Sequence, residues 1–227
     1  MKIDFADDFS PSKIIGVGRN YAEHAKELGN DVPTDPLLFL KAPSCLLLPR
    51  IRSNHEKHGT HETAEQNWPA IVLPKQSLQV EHEGELGVII SQRCKDLADD
   101  ANVMDYVRGF TCLNDVTARD LQQKDGQFAR AKSFDTFCPV GPHIETELDV
   151  TDIRVICRVN GDVKQDGRTS QMVFPVDFLI RYISRQMTLL PGDIIATGTP
   201  SGVSKLSPGD VCEVEIEGIG TLTNSII

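Results

Sequence analysis

The clearest hydrophobic pattern in the chain is the run Leu86-Gly87-Val88-Ile89-Ile90, a short apolar stretch that predicts a buried strand. Just before it, Glu81, Glu83 and Glu85 stand at alternate positions. Side chains two apart on a strand share a face. The alternation therefore turns the three carboxylates one way and Val80, His82, Gly84, Leu86, Val88 and Ile90 the other. Ser12–Gly18 predicts a strand ending in glycines, followed by a helix capped by Asn20, with Glu23 completing a capping-box-like pair and Gly29-Asn30 as its stop. Leu37–Lys41 and Val107–Leu113 predict strands, and Thr117–Lys124 a short helix. Asp152–Asn160, Gly161-Asp162 and the residues from Val163 onward predict a hairpin with a tight turn. Apolar residues at 173, 176, 179, 180 and 183 follow the helical period across Met172–Gln186. Pro191-Gly192-Asp193 and Pro208-Gly209-Asp210 are turn signals before strands. After the second, Cys212, Val214 and Ile216 alternate with Glu213, Glu215 and Glu217, the pattern of a half-exposed strand. Many short strands with few helices predict a β-rich α+β fold rather than a doubly wound parallel sheet. The polar, aperiodic stretch around 52–70 predicts a long loop or insertion.

Size and charge narrow the function. A chain of 227 residues suits one domain. A formal net charge of −10 argues against nucleic acid and anionic membrane as partners. No apolar run approaches the roughly 20 residues of a membrane span. The stretch Met1–Asp8 is acidic and lacks an apolar signal region. Cys45, Cys94, Cys112, Cys138, Cys157 and Cys212 are scattered, with no CxxC or zinc-ligand spacing, and are expected to be reduced, mostly buried thiols of a cytoplasmic protein.

Five segments carry candidate chemistry. A row of like charges beside an apolar strand calls for a cation, and a hard divalent ion takes carboxylate oxygens. Alternation does not say which two of Glu81, Glu83 and Glu85 would bind it, and an exposed acidic strand edge would show the same pattern. Asp115, between a predicted strand and a predicted helix, is either a fixed ligand or, like Thr117, a helix cap; Arg119 and Gln122 follow on the same surface. His24 and Glu27, three apart on a helix, are placed for a carboxylate to orient an imidazole as a general base. Lys132, a cation in a moderately apolar segment, is placed to hold a carboxylate or a developing oxyanion, unless it is a plain surface lysine. The loop Ala196–Val203, with two glycines and three hydroxyls, offers backbone N–H groups to an anion. A further histidine set, His55, His58 and His61, lies in the aperiodic polar stretch.

Taken in order, Gly16-Val17-Gly18-Arg19-Asn20-Tyr21, Glu83-Gly84-Glu85-Leu86-Gly87-Val88, Asp115-Val116-Thr117-Ala118-Arg119-Asp120, Ala131-Lys132-Ser133-Phe134-Asp135 and Thr197-Gly198-Thr199-Pro200-Ser201-Gly202-Val203 resemble the fumarylacetoacetate hydrolase family. The likeness runs from about residue 12 to the end and is nearest the short acylpyruvase and oxaloacetate-handling branch. It implies the family's mixed β-sandwich roll, residues 1–227 as one catalytic domain, and a homodimer. It further implies that Glu83, Glu85 and Asp115 bind Mg²⁺ or Mn²⁺, which sets Glu81 aside. His24 and Glu27 would activate water from a short lid helix, and Lys132 would serve the oxyanion. Arg19, Arg119, Gln122 and Thr199 would bind a small 2-oxo or 2,4-dioxo acid. The implied reaction is hydrolysis of a C–C bond in an acylpyruvate, leaving a metal-held pyruvate enolate. The same site suits an oxaloacetate decarboxylase or tautomerase, or a 2-hydroxyhepta-2,4-diene-1,7-dioate-type isomerase. A non-catalytic cation-binding protein would need only the three carboxylates. The polar stretch near 52–70 departs from the short relatives and bears on the distal part of the pocket.

Overall fold

A computed structural model describes residues 1–6, 8–49 and 68–227. Most of the polar stretch read as a loop, including His55, His58 and His61, lies outside the described residues. The rest forms two packed sheets and a small two-stranded one (Val80–Glu81 with Thr117–Ala118), a β-rich α+β roll with few helices. The larger, eight-stranded sheet runs in the order Lys2–Ile3, Cys138–Glu145, Val107–Asn114, Gly84–Ile90, Ile194–Ala196, Ile14–Gly18 and Leu37–Lys41, with Leu46–Leu47 joined to Cys138–Glu145. The second sheet runs Asp162–Arg168, Arg154–Val159, Val211–Ile216, Gly220–Ile226 and Ala70–Ile71. No helix among the described residues is long and apolar enough to cross a membrane.

Gly84–Ile90 is central to the first sheet, hydrogen-bonded to Val107–Asn114 on one side and Ile194–Ala196 on the other. It is buried on both faces along its whole length, because the second sheet covers one of them. The apolar run is thus a core strand, and its alternation does not separate an inner from an outer face. The two sheets share one core, with Leu86, Ile89 and Leu113 from the first and Val155, Cys157 and Val214 from the second fully or almost fully buried. All six cysteines are free and buried.

The hairpin turns at Asn160-Gly161, both left-handed, as a two-residue connection between twisted strands requires. Val211–Ile216 alternates half-buried and buried positions as expected. The four α-helices are α1 (Ala22–Glu27), α2 (Arg119–Asp125), α3 (Ala129–Lys132) and α4 (Val176–Gln186).

Three local expectations are corrected. Helix α4 starts at Val176 rather than Met172, because Thr169–Gln171 closes a separate turn and Pro175 stands at the helix start. Thr117 and Ala118 are strand, paired with Val80–Glu81, so α2 begins at Arg119 and neither Asp115 nor Thr117 caps it. Asn20 does not cap α1. Its amide instead donates to the carbonyls of Phe174 (3.0 Å) and Thr197 (2.7 Å) and accepts from Phe174 N (2.8 Å).

Candidate active site

The site forms at the entrance to the central strand. Glu81 belongs to the short strand Val80–Glu81, and the break at His82-Glu83 separates it from Gly84–Ile90. Register pairs Gly84 with Asn114, so the next residue, Asp115, meets Glu83, and its N–H donates to the Glu83 carbonyl at 2.8 Å. Asn114 Oδ1 accepts from Glu83 N at 2.9 Å, which fixes the same step. Oxygens of Glu83, Glu85 and Asp115 consequently lie within 4.8 Å of one another. All three residues are at most 5% exposed, so the exposed-edge reading of the acidic row does not hold.

Three buried cations face these carboxylates. Lys132 donates to Glu83 Oε2 (2.8 Å), Asp115 Oδ2 (2.6 Å) and Thr117 Oγ1 (2.8 Å), so all three of its protons are engaged. At 2% exposure it is no surface lysine. Arg119 bridges Glu81 Oε2 (2.8 Å) and Glu83 Oε1 (2.5 Å) and donates a third bond to Gln122 Oε1 at 2.6 Å. Lys41 donates to Asp115 Oδ1 and to the Phe137 carbonyl at 2.9 Å.

These contacts sort the carboxylates. Burial opposes ionisation of Glu83, but Lys132, Arg119 and His24 outweigh it and hold the group below the usual carboxylate range. Glu85 differs. Its side chain accepts from Gly198 N at 2.8 Å and has no cation partner among the described residues. Burial, Asp115 and Glu83 push its pKa well above the ordinary value. Three clustered oxygen donors, one of them left without a counter-charge, fit a hard divalent cation. Burial likewise acts to lower the Lys41 pKa, but Asp115 outweighs it and keeps the ammonium charged.

A second group approaches from α1. His24 is 4% exposed, and its Nδ1 lies 3.1 Å from Glu27 Oε2. The Glu27 carboxylate accepts from Gly202 N at 3.0 and 3.2 Å. Gly202 has φ +103, and a Cβ there would lie 1.9 Å from the Lys164 carbonyl oxygen, so glycine is required. Helix α1 is therefore tied to the 197–203 loop before its start, through Asn20, and at its end, through Glu27. That loop is fastened in turn to the acidic strand. Thr199 Oγ1 donates to the Gly84 carbonyl (2.8 Å) and accepts from Gln165 Nε2 (2.7 Å). Gln165 Oε1 accepts from Gly84 N (2.9 Å) and pairs with His82 Nδ1 (3.0 Å).

One cavity of about 310 Å³ brings these parts together: Arg19, His24, Glu83, Glu85, Asp115, Arg119, Gln122, Lys132 and Thr199 all line it, with Phe39 and Phe128 on its apolar wall. Of the residues singled out in the sequence, Glu27 stands behind His24 rather than on the wall. Lys41 and Gln165 were not singled out, and Asn20 was read only as a helix cap. For Lys41 a signal existed, a lysine closing the apolar run Leu37–Leu40. For Gln165 none did, since it lies on the second sheet and reaches the site only through packing.

The model of the fumarylacetoacetate hydrolase C-terminal domain matches residues 13–227. The chain is 42% identical over 215 residues to a mitochondrial oxaloacetate decarboxylase of Dictyostelium discoideum, covering 92% of this chain and 90% of that one. It is 38% identical over 228 residues to the mitochondrial oxaloacetate tautomerase Fahd2a of Rattus norvegicus, covering 96% and 67%. The crystal structure of a 5-carboxymethyl-2-hydroxymuconate delta-isomerase from Mycobacterium smegmatis superposes with a TM-score of 0.82 at 43% identity, covering 96% and 80%. The match takes in every segment that builds the cavity, and the chain belongs to the fumarylacetoacetate hydrolase family.

Proposed function

We propose that this protein is an enzyme of small 2-oxo acids, that oxaloacetate is the substrate its site fits best, and that it works with Mg²⁺ or Mn²⁺ at Glu83, Glu85 and Asp115. The observation that carries the reading is the carboxylate triad sharing one cavity with His24, which Glu27 backs from behind. Relatives at 42% and 38% identity that are named for oxaloacetate support the choice of substrate. A bound ion supplies Lewis acidity to the 2-oxo group, making the neighbouring carbon acidic.

The chain's own residues do the rest. Glu27, held by Gly202 N–H, accepts the Nδ1 proton of His24 and leaves Nε2 as the base. His24 takes a proton from C3 of the keto acid and passes it to the C2 oxygen to give the enol, and the reverse reaction runs the same two transfers backwards. Arg119 and Lys132 hold Glu83 ionised, and Lys132 also holds Asp115 in place. Gln122 and Thr199 line the cavity where a 2-oxo acid end would lie. The isomerase relative fits the same scheme, because it too is named for a proton-shifting reaction.

Keto–enol exchange and pyruvate release are to be followed on oxaloacetate with Mg²⁺ or Mn²⁺. His24→Ala should slow keto–enol exchange by about 100-fold or more, the usual value of a positioned base. Glu83→Gln should abolish metal-dependent turnover. Full activity of Glu83→Gln in the presence of chelator would overturn the assignment.

A second reading, hydrolysis of an acylpyruvate, is favoured by the same oriented His24–Glu27 pair, which can equally activate water. Lys132 would then have to release one of its three present partners to meet an oxyanion. Cleavage of acetylpyruvate, lost in His24→Ala, supports hydrolysis; no cleavage in the wild type removes it.

A further inference from the structure

We infer that Glu81, the member of the alternating acidic row that stays outside the ion cluster, is a positioning residue: it draws Arg119 away from Glu83 and so keeps Glu83 open to a divalent cation. The inference rests on the reading of Glu83, Glu85 and Asp115 as the metal site, and it adds a residue that acts on that site without being a ligand.

The first observation is where the row divides. Alternation along one unbroken strand would send Glu81, Glu83 and Glu85 to one face. The strand is broken at His82-Glu83 instead. Glu81 lies in the short strand Val80–Glu81, opposite Thr117. Glu83 and Glu85 join Asp115 in the ion cluster, and Glu81 does not. Glu81 is nevertheless buried, at 7% exposure, so its charge has to be met by the protein.

The second observation is what meets it. Glu81 Oε2 accepts from Arg119 Nε at 2.8 Å, and Glu81 Oε1 accepts from Gln79 Nε2 at 2.7 Å. The Gln79 carbonyl accepts from Arg119 N at 2.7 Å. Residues 79–81 therefore hold Arg119 by its backbone and its side chain together, at the start of α2. Glu83 is left with one bond from the guanidinium, from Nη2 at 2.5 Å, while Nη1 serves Gln122. A guanidinium and a carboxylate otherwise prefer a two-pronged grip. Glu81 occupies the Nε prong, and without it Glu83 is the acidic group already placed to take both.

The third is the charge count. Lys41, Arg119 and Lys132 are paired with Glu81, Glu83 and Asp115. Glu85 is the fourth carboxylate and has no cation partner among the described residues. Without Glu81 the cations and carboxylates are equal in number, and the demand for an added cation falls. An arginine divided between two carboxylates compensates each in part. Given whole to Glu83, it competes with an ion for the same oxygens.

The test follows binding of Mn²⁺ alone to the full chain, by loss of the free-ion electron-resonance signal, in wild type, Glu81→Gln, Arg119→Met and the double variant. Glu81→Gln is expected to weaken Mn²⁺ about tenfold, the worth of one charge-assisted hydrogen bond moved onto Glu83. With Arg119 gone Glu81 has nothing to hold, so the same change in the Arg119→Met background should weaken Mn²⁺ by less than about threefold. Glu81→Asp keeps the charge, but pairing with Thr117 fixes its backbone and holds the shorter side chain back from Arg119. It should weaken Mn²⁺ as Glu81→Gln does. Equal weakening by Glu81→Gln in both backgrounds means charge acting across space and overturns the inference. Wild-type affinity in Glu81→Asp, or no weakening in Glu81→Gln, overturns it too. Folding of each variant is read by circular dichroism, and if Glu81→Gln does not fold, Glu81→Asp is carried through the same cycle. A wild type that binds no Mn²⁺, or binds it equally well after Glu83→Gln, overturns the metal reading of the triad, and this inference with it.

Discussion

Lys41 offers the sharpest test of how the carboxylate cluster is held together. Its side chain is fully buried and faces Asp115, itself 1% exposed, and it also satisfies the Phe137 carbonyl. Replacing it with Met keeps the apolar stem and removes the charge. Removing one partner of a buried ion pair costs about 3–5 kcal/mol. Here Lys132 still holds Asp115 Oδ2, which places the loss at the lower end, near 3 kcal/mol. The stranded Phe137 carbonyl adds about 1 kcal/mol. At roughly 2–4 °C per kcal/mol for a chain of this size, the metal-free Tm should fall by about 6–16 °C. Metal affinity should move the other way. Lys41 is a cation competing for an Asp115 oxygen, and relieving that repulsion across a few ångströms should tighten Mg²⁺ or Mn²⁺ binding about tenfold. At a fixed excess of metal the stability gap would then narrow by about 1.4 kcal/mol. Thermal denaturation with and without metal, and a calorimetric titration, measure both quantities. A Tm within 2 °C of wild type, or metal binding weakened tenfold, would refute this reasoning; the latter would mean that Lys41 aims Asp115 at the ion rather than competing for it.

Other parts of the site give predictions of their own. Because the Glu85 pKa is raised in the fold, its contribution to stability is full below the ordinary carboxylate value of about 4.3 and is lost as pH rises through the folded value. Glu85→Gln should therefore raise the metal-free Tm at pH 7–8 and abolish stabilisation by metal, and a lower Tm at every pH would contradict this. Glu83 has the opposite sign: its pKa is depressed, so its stabilisation is present above the ordinary value and fades as pH falls, and Glu83→Gln should destabilise the metal-free protein at neutral pH. Gly202→Ala should cost at least about 2 kcal/mol and most activity while leaving metal binding intact, since it displaces the Glu27 contact and not the triad. Gln165→Leu strips partners from the buried Gly84 N–H and His82 Nδ1 and should lower stability by about 2–4 kcal/mol in chemical denaturation.

What was legible in the sequence was whatever a short window contains. The strand ending in glycines, the half-exposed Val211–Ile216 and the i, i+3 spacing of His24 and Glu27 depend on neighbours in the chain, and the structure shows them as read; the hairpin is there too, with its turn at Asn160-Gly161, one residue before Gly161-Asp162. The carboxylate row was visible as a demand for positive charge, but not what would meet it. The cations that do, Lys41, Arg119 and Lys132, arrive from three separate elements and are brought together by strand register. Asn20 shows why local rules fail at such a place. Its amide is competent to cap α1, yet two carbonyls and an N–H from distant segments satisfy it more fully, and the cap is forgone. The same long-range bonds make one unit of parts that the sequence lists separately. Gln165 clamps the Thr199 hydroxyl and the Pro200 carbonyl to Gly84, Gly198 N–H holds Glu85, Gly202 N–H holds Glu27, and Asn20 holds Thr197. The loop between the strand Ile194–Ala196 and Ser204 thus sets the distance between the base and the carboxylate cluster. A change in that loop should alter catalysis and metal affinity together, unless, as at Gly202, it touches only one of its two attachments.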